Sequence, residues 1–544
     1  MKKIALFLSL VLLFNFNNVN SQENSVEEVI VTATKTEKTL QEVPVAVSVV
    51  TSETIDKANV MDIFDLKSVV PSLDARQYQS TINSTFFIRG FGNGSNNPGI
   101  EPSVAVFVDG VYRSKTQSQI SDLPMVERIE ILRGPQSTLF GKNASAGVIN
   151  IVTKKPSFEK SGMVTLGFGK HDSRVAKIYT TGPINENMAY SFSANFNKRD
   201  GHSSNPVTGK AVNNRDRVGI RTELLFTPSD DLSIRVTADH DEYDEICCAV
   251  GSTNYGTANV VTALFGGQII PNNPYTEKAF FDFDPISDGD NSGLSIYIEK
   301  DLENMRIESI TSRRTSYNYE EQDVDFESVD QIDANRLIKD LEAVTQEIRV
   351  FSENNEKVNW LLGAYYYQED MEYTNSIYFG SLWRGYIDAL APGALAGVAA
   401  AFGIPNSMLF AAGQGVKEFS TQDNSTTSIY AQLDISLSDK LNALIGASYI
   451  EDEKSVSINQ VNTDIFSNLD FVGAGTMALI GAGIPPAQAA VLATDPNYNP
   501  LLGLQGIQFL PQFVNYPNAA QDGKSKDDNI DYTFKLSYLL NEST

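Results

Sequence analysis

The chain has 544 residues and a formal net charge of −26, enough length for several domains or one very large barrel. That acidity excludes a nucleic-acid binder, because nothing here would neutralise phosphates. Two adjacent cysteines and three scattered histidines exclude an ordinary disulfide framework and show no zinc-ligand spacing.

Lys2 and Lys3 precede an apolar run from Ile4 to Phe14, and Val19-Asn20-Ser21 supplies small residues at a cleavage point. This pattern predicts a secretory signal peptide over residues 1–21, too short for a stop-transfer helix, with the mature chain starting at Gln22. Residues 22–38 read as a polar leader with one β-prone island, Glu28-Val-Ile-Val-Thr-Ala33. Val29, Ile30, Val31 and Thr32 are β-branched in a context that cannot fold alone. Such a segment can add as a strand to a partner's sheet edge; the plainer alternative is a strand of the domain that follows.

Residues 39–156 read as a compact mixed segment with Gly-rich turns. Val104–Val108 runs into Asp109-Gly110 and then Val111-Tyr112, a strong hairpin signal because both turn residues tolerate positive φ. In Val126–Leu132, Ile129 and Ile131 fall on one strand face, and Arg128 and Glu130 on the other. A last strand is predicted at Gly147–Thr153. The charged face suits a domain sitting in a polar cavity.

From about residue 160 the pattern becomes a series of long strands. Ala189–Asn197, Ile429–Leu437, Leu441–Tyr449 and Tyr532–Tyr538 alternate apolar and polar positions with period two. Short links are predicted near 183–187, 228–231, 302–304, 353–357 and 438–440. Long ones lie near 200–214, 246–290, 321–340, 375–424 and 456–526. Tight turns alternating with long loops are the layout of a transmembrane antiparallel β-barrel, the turns on the periplasmic side. A soluble sandwich does not produce these paired loop lengths. The pattern gives about twelve strands by Thr544, whereas plugged transporters use about 22. The expectation is therefore that further strands lie beyond the given sequence. Cys247 and Cys248 fall in a long loop, where a vicinal bridge and two thiols both remain open.

Several motifs share one resemblance. Phe87-Ile-Arg-Gly-Phe-Gly92, Val108-Asp-Gly-Val111, Val126-Glu-Arg-Ile-Glu-Ile-Leu-Arg-Gly-Pro135, Leu139-Phe-Gly141 and Ala146-Gly-Val-Ile-Asn-Ile-Val-Thr153 occur in the order and spacing of a known plug. Together they resemble TonB-dependent outer-membrane receptors, and Glu28-Val29-Ile30-Val31-Thr32-Ala33 resembles the TonB box. The resemblance implies a mixed α+β plug at 39–156 inside a β-barrel running over 160–544. It implies a multi-pass location in the outer membrane, TonB with its inner-membrane energising proteins as partner, membrane lipid around the barrel, and a monomer. Arg89, Glu130 and Arg133 match charged positions that fix plug to wall in the family; ordinary solvated strand charges are the alternative. Arg76, Gln79, Asn93, Asn97, Arg113 and Gln117 fall in the plug loops that should face a ligand.

The implied activity is active transport of a scarce nutrient, an iron–siderophore complex being the family's most frequent cargo. Cobalamin, haem and oligosaccharides remain alternatives, and a passive pore is a further one. A haem receptor should show a loop histidine pair, which this sequence lacks. Tyr365, Tyr366, Tyr367, Tyr373 and Tyr378 suit stacking on a cargo or, more commonly in such barrels, an interface girdle. Ala389–Phe402 and Val472–Thr494 each run into Gly-Ile-Pro and read as short helices over the mouth or as mobile loop. No nucleophile elbow or metalloprotease motif appears, and the glycines of Gly134–Lys142 are too far apart for a phosphate loop. The chain reads as a non-enzyme without cofactor, metal ligands or nucleic-acid partner.

Overall fold

The computed structural model describes residues 30–32, 35–77, 84–93, 99–115, 118, 122–248, 256–269, 273, 275–353, 357–508 and 523–540. The expected signal peptide lies outside the described residues. Two short strands come first, β1 (Ile30–Val31) and β2 (Lys38–Thr39), paired antiparallel.

The plug follows. Its strands are β3 (Val47–Thr51), β4 (Leu73–Gln77), β5 (Ser84–Ile88), β6 (Val104–Val108), β7 (Val111–Arg113), β8 (Val126–Arg133) and β9 (Gly147–Thr153). Five of them form one sheet in the order β3-β8-β9-β6-β7, with β6 and β9 parallel and the other pairs antiparallel. The β6–β7 hairpin turns at Asp109 and Gly110, at φ +51° and +80°, as their tolerance of that region predicts. Ile129 and Ile131 enter a core with Ile55 of the helix Ser52–Ala58, Leu66 and Phe86. Leu132 faces the other way, into a second cluster with Phe107, Phe140 and Val148. That cluster continues across the seam to Leu341, Leu361 and Tyr367 of the surrounding wall.

The wall is a meander. It comprises β10 (Ser161–Gly169), β11 (Ser173–Asn185), β12 (Met188–Arg199), then, after the small loop hairpin β13 (Ser203–Asn205) and β14 (Lys210–Val212), β15 (Arg215–Ser229) and β16 (Leu232–Glu245). It continues as β17 (Ile286–Leu302), β18 (Met305–Gln322), β19 (Ile332–Ser352), β20 (Val358–Phe379), β21 (Gly415–Ser438), β22 (Leu441–Asn462) and β23 (Lys524–Tyr538). Among the described residues these make one twelve-stranded antiparallel sheet whose edges, β10 and β23, do not pair with each other. The wall curves around the plug, so plug side chains meet strands from β12 to β23.

Side-chain parity sets the two faces. On β17, Leu294, Ile296 and Ile298 point outward and are exposed, while Ser295 and Tyr297 point inward and are buried. The outward apolar face is what lipid requires and the inward one what an aqueous lumen requires. Wall strands run from 9 residues in β10 to 24 in β21. A tilted strand crosses a bilayer in about 9–11 residues, so β21, with 24, extends well past it. The long loops are correspondingly shorter: only residues 323–331 separate β18 from β19.

Cys247 and Cys248 are joined in a vicinal disulfide just beyond β16. The Gly-Ile-Pro loops are helical, with helices at Trp383–Leu390, Ala394–Phe402, Phe471–Gly481 and Pro486–Leu492. The first three pack on one aromatic core of Phe379, Phe410, Phe466 and Phe471. An arginine placed on the lipid face at Leu294 is expected to cost about 2–4 kcal/mol where that position lies near the bilayer midplane. Leu294→Arg refolded into lipid vesicles under urea titration should show that loss, and Leu294→Phe should not.

Candidate functional site

Buried charges line the seam between plug and wall. On β15, Arg217, Arg221 and Glu223 share the inward parity while Val218, Ile220 and Leu224 face out. Arg217 donates to plug carboxylates Asp62 at 3.1 Å and Asp122 at 3.4 Å, and to Glu245 of β16 at 2.6 Å. Asn197 adds a bond to Asp122 at 2.8 Å. Arg221 donates to Asp109 at 2.5 Å, and Arg235 lies 3.6 Å from the same carboxylate. Burial alone would raise the Asp109 pKa, but Arg221 and Arg235 outweigh it and hold it below the usual carboxylate value.

Toward the end with the long loops the plug is seated by lysines. Lys142 bridges Glu101 of the plug at 2.8 Å and Asp452 of β22 at 2.6 Å. Asn424 of β21 donates to Glu101 at 2.8 Å, and Lys454 approaches it at 3.4 Å. Lys115 meets Glu369 of β20 at 3.5 Å. Although burial opposes it, Lys142, Lys454 and Lys115 hold the Glu101 carboxyl down at about 2. The sheet register explains why the partners converge: Asp239, Gly293, Arg314, Ala343, Glu369, Asn424 and Lys454 form one transverse inward row.

At the tight-turn end the leader is fastened in both directions. Thr32 donates its backbone N–H to Glu130 of the plug at 2.9 Å, and Asn150 donates to Glu130 at 3.2 Å. Val31 is fully buried beside Phe107 and Phe140. Lys35 pairs with Glu347 of β19, which also accepts from the Tyr430 hydroxyl, and Lys38 pairs with Asp434 of β21. Behind these contacts lies a cavity of about 580 Å³ lined by Lys35, Asp109, Arg235, Glu308 and Arg349.

Ile30, Val31 and Thr32 of the expected box therefore lie beside the plug, while Glu28, Val29 and Ala33 lie outside the described residues. Three expected plug–wall contacts need correction. Glu130 is spent on Thr32, Asn150 and its strand neighbour Arg128, and Arg133 donates to the plug carbonyls of Ala46 and Val47. Arg89 sits in a turn at φ +53°, exposed and, among the described residues, without an ion pair. The wall is instead met by Asp62, Asp109, Asp122, Glu101, Lys115 and Lys142 of the plug. Parity along β15 and β16 is the signal that could have found their wall partners.

The expected ligand loops are partly described. Arg76 is exposed and pairs with Asp74 at 2.6 Å. Asn93 closes its own loop by accepting from Ser103 N–H at 2.7 Å, and Arg113 is buried 3.9 Å from Asp239 of the wall. Gln79, Asn97 and Gln117 lie outside the described residues. Tyr365, Tyr367 and Tyr373 are not girdle residues: they point inward and are buried, and Tyr367 packs edge-on against plug Tyr112 at 5.6 Å. Tyr366 points outward and is exposed, and Tyr378, near the end of β20, is half-buried.

A plug seated by ion pairs inside a curved antiparallel wall defines a plugged-barrel receptor. Residues 39–148 match the TonB-dependent receptor plug domain family. The pesticin receptor of Yersinia pestis is 31% identical over 216 residues, 39% of this chain and 32% of that protein. The vitamin B12 transporter BtuB of Vibrio vulnificus is 27% identical over 245 residues, 42% of this chain and 37% of its own length. The crystal structure of the ferric yersiniabactin uptake receptor FyuA from Yersinia pestis superposes with TM-score 0.67 at 18% identity. That match covers 92% of this chain and 63% of the FyuA chain. Residues 39–148 thus carry the plug domain of TonB-dependent receptors, and the chain spans about a third of the length of the curated relatives it matches.

Two predictions follow from this seam. Glu101 has a folded pKa below its unfolded one, so its contribution is present above about pH 4.5 and lost as pH falls toward 2, on the order of 3 kcal/mol. Thermal melts of the plug at pH 5 and 2.5 should differ more in wild type than in Glu101→Gln. At the leader, Lys35→Met leaves the buried Glu347 with only the Tyr430 hydroxyl and the Arg349 charge, and is expected to weaken docking by up to about 3 kcal/mol. Limited proteolysis should cut the leader faster in that variant, with partial rescue in Lys35→Met/Glu347→Gln.

Proposed function

We propose that this protein takes up a scarce nutrient across the outer membrane by energy coupling to TonB, and that the nutrient is chelated iron. The observation carrying the proposal is the fastening of the leader. Thr32 of the β-prone box pattern is bonded to the plug, and Lys35 and Lys38, just after the box, are bonded to the wall at the tight-turn end. Force applied to that segment reaches the plug through Glu130, a strand residue in the middle of the plug sheet. Apart from the buried Val31, the leader's contacts are hydrogen bonds and ion pairs, which water can replace as they break. Iron as cargo is supported by the relatives whose names state it, among them the ferric yersiniabactin receptor. The likeness to a vitamin B12 transporter makes cobalamin the second reading.

Ile30→Pro removes a ladder donor from the segment and is expected to abolish coupling without touching the mouth. In a deletion strain carrying the full-length gene, uptake of radiolabelled ferric chelate should fall at least tenfold, with surface binding unchanged. Uptake at the wild-type rate would refute the assignment of the box.

A further inference from the structure

Beyond the seam, the long-loop end gathers carboxylates that, among the described residues, no cation pairs with. Asp282 lies between β16 and β17, and Asp323, Asp325, Glu327 and Asp330 lie in the loop between β18 and β19. Asp323 is only 3% exposed; its Oδ1 accepts from the Phe326 N–H at 2.8 Å, while among the described residues its Oδ2 and the buried Asp282 Oδ1 have no donor. Asp325 accepts the backbone N–H groups of Glu327 at 2.9 Å and Ile332 at 2.7 Å, which fix its position. The nearby cations are engaged elsewhere. Lys210 pairs with Asp284 at 3.1 Å, and Arg336 pairs with Glu321 and Asp333.

Aromatic rings stand against these acids. Trp383 stacks on Tyr386 with centroids 5.5 Å apart and on Phe379 at 5.7 Å, with interplanar angles of 14° and 8°. The ring stack is held to the acidic loop by backbone bonds from Gly380 to Gln331 and from Leu382 to Asp330, and by Ser381 donating to the Asp330 carboxylate at 2.8 Å. The Tyr386 hydroxyl pKa is raised by burial and then by the charges of Glu327 and Asp325, which places it beside them.

We propose that Asp282, Asp323, Asp325 and Glu327, with the Tyr386–Trp383 stack, form a receiving site at the receptor's mouth for an organic ammonium group on the cargo. Carboxylates supply the counter-charge and ring faces supply the quadrupole that together recognise such a cation. Burial and mutual repulsion push Asp282 up to about 7 and Asp323 up to about 10, and a cation bound beside them would offset that repulsion. A bare metal ion fits less well, because among the described residues no three His, Cys, Asp or Glu side chains are spaced to hold one. The proposal deepens the uptake reading and rests on it only for the direction from which cargo arrives.

The test uses the full-length receptor in detergent micelles at pH 8 and two ferric trihydroxamates that differ only in a terminal amine, free or acetylated. Calorimetry should show the ammonium form binding at least tenfold tighter. That advantage should shrink below twofold in Asp282→Asn and, independently, in Tyr386→Leu. Equal affinities would overturn the ammonium site and leave chelate uptake standing. Cadaverine serves as a cargo-free probe read by tryptophan fluorescence. A response lost in Asp282→Asn would support the site even if neither chelate bound, a result that would remove iron chelates as cargo. No cadaverine response together with no chelate preference would overturn the proposal. Calcium binding that displaces cadaverine and vanishes in Asp282→Asn would overturn it in favour of a metal site.

Discussion

The structure depends on charges that two separate surfaces hold in common. Arg217 is nearly excluded from solvent, and it is tolerable there only because carboxylates from plug and wall meet it together. A single buried ion is expensive; three carboxylates from two bodies repay most of that cost, without making the joint strongly favourable. The same logic holds for Asp109 between Arg221 and Arg235. Such a seam specifies where the plug sits more than it stabilises the whole. It also differs from a hydrophobic joint, whose separation would expose apolar area with nothing to replace the lost contacts.

Apolar packing is nevertheless present, and its location matters. The plug's main core is internal, around Ile129, Ile131 and Phe86. The second cluster crosses the seam at Phe107, Tyr112 and Leu132 to Leu341, Leu361 and Tyr367. The leader's Val31 is buried in this shared cluster. One small side chain thus couples the leader to the patch where plug and wall are joined by packing.

Much of this was legible in the sequence, and the gaps have physical reasons. The tight links were located because turn residues sit between period-two runs, and they recur at 230–231, 303–304 and 439–440. Strand lengths were not, because β20 and β21 continue past the lipid, where outward residues such as Glu372 and Lys417 are polar and the apolar alternation that marks a strand fades. Arg89, Glu130 and Arg133 were placed at the wall by analogy. Yet a charged residue on a plug strand also satisfies orphan backbone groups nearby, and Arg133 does so at Ala46 and Val47. The tyrosine run shows how one-residue parity decides a role: Tyr365 and Tyr367 face the plug and Tyr366 faces out. No composition count distinguishes them, whereas the strand period does.

The β15–β18 arc of the seam and its two ends use different cations, and the chemistry of each suits its place. Between β15 and β18 the wall presents arginines, whose planar forks hold two or three carboxylates in fixed geometry, as Arg314 does with both oxygens of Asp239. The leader and the loop-side seat present lysines, Lys35, Lys38, Lys115 and Lys142. Each is a point charge on a flexible stem that can turn to another acceptor with little reorganisation. Lys142 already meets three acceptors, Glu101, Asn424 and Asp452, spread over plug and wall. Contacts of that kind tolerate displacement of the group they hold, and arginine forks do not. The plug is therefore fixed rigidly along one arc of the wall and compliantly at the leader and the mouth, a difference written in side-chain type and not in the number of contacts.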